Sequence, residues 1–121
     1  MHSVRPLLLD GPMGSLLTER GVLSPRSASS HSAQSAWSKS PTSWSAEALE
    51  SAPHEVALVH RAYAEAGADL HRTNSFRTRP GDVGPHFAEL AALSVRLARA
   101  EAGARPVLGV LGPVGECYDP D

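Results

Sequence analysis

Apolar and polar residues fall into blocks along this chain. Leu7-Leu8-Leu9 is a continuous apolar run that stops at Asp10-Gly11. A short run without polar alternation predicts a strand buried on both faces. Met13, Leu16 and Leu17 then share one side of a short helix, with Gly21 placed to close it. Val56, Val59, His60, Tyr63 and Ala66 recur at helical spacing and predict a helix opened by Pro53 and ended by Gly67. Leu70 to Phe76 predicts a second strand, and Arg79-Pro80-Gly81-Asp82 a turn. Phe87, Leu90, Ala91, Ser94, Leu97 and Ala98 mark the buried stripe of a long helix closed by Gly103. Pro106 to Leu111 predicts a third strand.

One stretch breaks the pattern. Ten of the 22 residues from Ser24 to Ser45 are serine, and few are aliphatic, so a flexible insert is expected at about 24–43. Trp37 and Trp44 are its exceptions. Trp44-Ser45-Ala46-Glu47-Ala48-Leu49 reads as a helix start, with Ser45 as N-cap, Glu47 in the first turn and Trp44 stapled to Leu49.

Strands alternating with helices imply an α/β fold with a parallel sheet and right-handed crossovers. In such folds function gathers at the C-terminal ends of the strands. Those ends are Asp10-Gly11, Thr73-Asn74-Ser75-Phe76 and Gly112-Pro113-Val114-Gly115.

Composition narrows the picture by exclusion. The 121 residues carry a net charge of −2 and a pI near 6.3, which gives no electrostatic case for nucleic acid or an acidic membrane. The apolar run before Asp10 is too short for a signal core or a membrane span. The single cysteine, Cys117, forms no internal disulfide, and the expected location is cytoplasmic.

The strand ends and their flanks resemble the homocysteine S-methyltransferase family, which includes betaine–homocysteine methyltransferase and the homocysteine-binding domain of methionine synthase. The matching pieces are Leu8 to Leu17 with Arg20-Gly21, then Trp44-Ser45, then Val59 to Tyr63 with Glu65 to Asp69. Thr73-Asn74-Ser75-Phe76 and Leu111-Gly112-Pro113-Val114-Gly115 complete the set. The resemblance implies the N-terminal β-α-β-α-β part of a (β/α)8 TIM barrel, incomplete in this chain, with residues 1–121 as a partial homocysteine-binding domain. It implies methyl transfer to the sulfur of homocysteine, giving methionine, with homocysteine and a small methyl donor as partners. It also implies Asp10, Gly11, Thr73 and Asn74 as substrate-binding residues. A carboxylate at a strand end suits an ammonium, and glycine lets backbone approach a ligand closely.

The resemblance further implies a zinc ion, held by cysteines, that converts the substrate thiol to a thiolate. Those cysteines have no counterpart here, and Cys117 matches none of them. The histidines at 2, 31, 54, 60, 71 and 86 show no zinc-ligand pairing in sequence, so no metal ligand and no catalytic residue is expected, and His60 reads as a packed core histidine. His71 and Arg72 stand where an apolar strand is expected, a costly pair unless satisfied. Three strands cannot close a barrel. The isolated chain is therefore expected to be marginally stable, aggregation-prone and inactive, and the alternative to an enzyme is a non-catalytic remnant or a subunit completed by a partner chain. A further reading takes Gly11-Pro12-Met13-Gly14 as an anion site before a helix; it lacks both the P-loop lysine and the dinucleotide glycine spacing.

Overall fold

The computed structural model describes residues 4–23 and 44–113. Its helices are α1 (Met13–Glu19), α2 (Trp44–Ser51), α3 (Pro53–Glu65), the one-turn α4 (Pro80–Val83) and α5 (Phe87–Ala102). Two short strands, β1 (His71–Arg72) and β2 (Val107–Leu108), pair in parallel with His71 opposite Val107 and Arg72 opposite Leu108. The Leu7–Leu9 segment runs parallel on the other side of β1. Leu9 bridges to Leu70, the Asp10 N–H donates to the Leu70 carbonyl at 3.0 Å, and the Leu70 N–H donates to the Leu8 carbonyl at 3.2 Å. The expected strand–helix–strand–helix–strand order is thus present, as a small parallel sheet with helices packed against it.

The strands are shorter than the apolar runs. At the top of β1 side chains replace backbone in the ladder: the Val110 N–H donates to the Thr73 hydroxyl at 3.0 Å, and the Ser75 hydroxyl donates to the Val110 carbonyl at 2.6 Å. Polar side chains therefore tie the strand ends together where regular pairing stops.

The helices carry the core. Leu17, Leu23, Ala46, Ala48, Leu49, Val56, Val59 and Leu90 form one buried cluster, fringed by Met13, Trp44, Tyr63 and Leu97. α3 packs on α5, α1 and α2, as its stripe of Val56, Val59 and His60 requires. Pro53 opens α3, and Gly67 follows it with φ of 100°. Both are the punctuation read from the sequence.

Three expectations are corrected. Leu7, Leu8 and Leu9 are not buried on both faces: they are 65, 53 and 47% exposed, because only β1 flanks the segment and no described residue covers its outer side. Ser45 is not an N-cap, since α2 begins at Trp44 and Ser45 lies inside the first turn. The turn at Arg79 to Asp82 closes into α4, which Pro80 initiates and where the Arg79 guanidinium pairs with Asp82. The serine-rich insert, Trp37 and Cys117 lie outside the described residues. No helix among the described residues is long and apolar enough to cross a membrane.

Candidate functional site

The ends of all three strand segments converge on one cavity of about 290 Å³. Asp10, Gly11 and Met13 come from the first segment and the start of α1, Trp44 and Ser45 from α2, Arg72, Thr73, Asn74 and Phe76 from β1 and its exit, and Val110 from the exit of β2. Every residue expected to bind substrate is in this wall. The convergence follows from parallel topology, which puts all C-terminal strand ends on one side.

Asp10 is buried, at 7% exposure, and both its oxygens are engaged by one residue. The Arg72 N–H donates to Oδ2 at 2.9 Å and the Arg72 Nε–H to Oδ1 at 2.8 Å, while a terminal guanidinium nitrogen reaches the Asp10 carbonyl at 2.8 Å. The cost foreseen for a charge in the second strand is thus met by a charge-assisted pair, and Arg72 still keeps about two-fifths of its side chain open to the cavity side. Sequence reasoning missed this pairing. Its signal was an acidic residue at the end of one strand and a basic one in the next, brought side by side by parallel register.

Gly11 gains its place by contact. A Cβ there would lie 2.6 Å from the Tyr63 hydroxyl oxygen. That hydroxyl donates to the Pro12 carbonyl at 2.7 Å, so Tyr63 of α3 clamps the turn that carries Asp10. Burial, and the Asp10 charge after it, raise the Tyr63 pKa above the ordinary phenol value and keep it protonated as donor. Thr73 and Asn74 are both buried. The Thr73 hydroxyl shares a 2.5 Å hydrogen bond with the Ser75 hydroxyl, and the Asn74 amide donates to the Ser45 carbonyl at 2.9 Å. Gly112 lets its loop pass against the Phe76 carbonyl, where a Cβ would collide.

Behind the cavity wall two buried histidines meet. His60 and His71 are not unrelated: they face each other with ring centroids 6.4 Å apart, and a ligand atom of each lies within 4.8 Å of the other and of an Asp10 oxygen. Burial is the main force holding the His60 pKa below the ordinary histidine value; His71 adds to it and Asp10 opposes it.

Parallel strand ends, an acidic residue beside a glycine and a polar exit from the second strand together mark the ligand-facing end of a parallel α/β fold. The comparison with protein families is specific. The model of the homocysteine S-methyltransferase family matches residues 7–121, and the chain belongs to that family. Among solved structures it is similar to the homocysteine methyltransferase MmuM from Escherichia coli, in its metallated form, at 28% identity and a TM-score of 0.64. The match covers 92% of this chain and 39% of that one, so the chain spans well under half the length of this relative. No curated protein matches.

The zinc that the family resemblance implies needs several cysteine thiolates to hold it. The described residues hold no cysteine, and the whole sequence holds one. A cage of several thiolates cannot be drawn from it, so the residues of this chain do not fit that group.

Proposed function

We propose that this chain supplies the amino-acid-binding part of a homocysteine S-methyltransferase, its three strand segments being the first three of a (β/α)8 barrel. The observation that carries the reading is the single cavity where Asp10, Gly11, Thr73 and Asn74 meet. One wall of it presents a carboxylate and a guanidinium side by side. That pair matches the ammonium and carboxylate of a free amino acid, each partner exchanging part of its bond to the other for one to the ligand. Gly11 allows the substrate backbone to lie close, and Thr73 and Asn74 offer hydroxyl and amide groups at its edge. Phe76, Met13 and Trp44 supply apolar surface for the two methylenes of its side chain.

Binding and orientation are what these residues do. A homocysteine thiol has an ordinary pKa near 8.5, so at neutral pH only a few per cent is thiolate. Nothing in the cavity wall is a thiolate. The chain alone is accordingly expected to bind homocysteine without transferring a methyl group to it.

Calorimetric titration of the 121-residue chain with homocysteine tests the reading. Saturable binding that methionine competes for, and that Asp10→Asn weakens at least tenfold, is the expected result. No binding at millimolar homocysteine, with the fold intact by circular dichroism, would overturn it.

A further inference from the structure

We propose that Asp10, His60 and His71 form a binding site for one divalent transition-metal ion, distinct from any thiolate centre, that fastens the first strand segment, α3 and β1 together. His60 comes from the buried stripe of α3, and His71 from the helix-facing side of β1. Both are fully buried, and none of the four ring nitrogens has a hydrogen-bond partner. That is an unusual debt. Buried polar groups are almost always paired, and a neutral imidazole brings one donor and one acceptor. Two such rings placed together, with a carboxylate oxygen beside them, leave an orphaned cluster whose chemistry is that of a cation site.

The donor set selects the ion. Two imidazoles and one carboxylate suit zinc, cobalt, nickel or copper(II), and do not suit magnesium or calcium, which take all-oxygen shells. The ligand atoms lie within 4.8 Å of one another, and the rings are tilted by 59° rather than stacked. Tetrahedral zinc, at roughly 2.0–2.2 Å from each ligand, spaces its ligands roughly 3.4 Å apart. The ligand atoms would therefore draw together by no more than about 1.4 Å, within reach of side-chain rotation.

Arg72 sets the affinity. It spends one hydrogen bond on each Asp10 oxygen, which leaves each oxygen a further lone pair toward the histidines. Its charge opposes a cation, while its bonds fix the carboxylate's orientation as an outer-shell partner does. The two imidazoles are absent from the wall of the substrate cavity. The ion would therefore act as a structural cross-link between three segments distant in sequence, and its effect should be seen in stability before activity.

The test uses the full 121-residue chain, stripped with chelator and titrated with Zn2+ by calorimetry and Co2+ by visible absorption. One equivalent of each should bind, the Co2+ spectrum should be that of nitrogen and oxygen ligands, and Zn2+ should raise the melting temperature by several degrees. His71→Leu, which trades an unpartnered imidazole for an apolar side chain, should keep the fold, weaken binding at least tenfold and abolish the thermal shift. If that variant does not fold, His60→Gln read in the same way decides. Absence of saturable binding, equal binding by the variant, or a Co2+–thiolate charge-transfer band placing the ion on Cys117 would each overturn the proposal.

Discussion

At the scale of single residues, Arg72 matters most. It is the only ion-pair partner of Asp10 among the described residues, so removing it leaves a buried carboxylate uncompensated. Arg72→Leu should lower unfolding stability by about 2 kcal/mol, less than a fully buried pair would because the guanidinium is partly in water. Urea denaturation at neutral pH measures this. Arg72→Lys should recover only part of the loss, because an ammonium cannot span the carboxylate and the carbonyl as the planar guanidinium does. Asp69 gives a second prediction. The Arg5 guanidinium bonds it at 2.7 and 2.9 Å and the Leu8 N–H at 2.8 Å, which together hold its carboxyl down to about 2, against 3.8 ordinarily. In acid the unfolded carboxyl takes up its proton before the folded one, so protonation favours the unfolded chain. The contribution of Asp69 is complete well above pH 3.8 and is lost as the pH falls toward 2. Asp69→Asn should flatten that part of the stability profile and leave the rest unchanged, which acid titration followed by circular dichroism will show.

At the scale of elements, stability resides in the helix layer. Leu49 of α2 is 1% exposed and sits among Leu17, Val56, Val59 and Leu90, residues from three other helices. Leu49→Ala should cost about 2–5 kcal/mol, with a chemical denaturation midpoint lowered accordingly. α3 has the widest duties: its apolar face packs on α1, α2 and α5, its Tyr63 clamps the Asp10 turn, and its Arg61 pairs with Glu101 of α5 at 3.0 Å. Tyr63→Phe removes one hydrogen bond and no packing. It should loosen the Asp10-Gly11-Pro12 turn and weaken homocysteine binding several-fold, with stability changed by only about 1 kcal/mol. Calorimetry and urea denaturation together separate the two effects.

At the scale of the whole molecule, apolar side chains along the small sheet and its exits lack cover: Leu7, Leu8, Leu9, Leu108 and Leu111 are exposed. An apolar surface of this kind binds hydrophobic dyes and promotes association. The chain should bind an anilinonaphthalene dye in its folded state and sediment as larger species with rising concentration. Leu8→Lys should reduce both, and a monodisperse, dye-silent wild type would contradict the argument.

Legibility followed range. Pro53, Gly67 and Gly103 punctuate helices through backbone preferences that act locally, and the stripes of α3 and α5 register which residues each helix buries. The family and the residues of the cavity wall were readable because motifs at strand ends keep their order along the chain. What Arg72 and His71 do was not readable. A charge in a strand is a cost or an anchor according to what the neighbouring strand places beside it, and Asp10 lies 62 residues away. His60 looked like a core histidine from its own helix. That it meets a second unpartnered imidazole and a carboxylate depends on how α3 crosses β1. The exposure of Leu7 to Leu9 belongs to the same class, since an apolar run states only what it can bury, not whether anything packs against it. The sequence by itself determined the elements, their order and the family, because those rest on local periodicity and spacing. Only the tertiary structure decided which charges are paired, which polar atoms are stranded and which apolar faces are covered, because burial and pairing are properties of contacts between segments far apart in the chain.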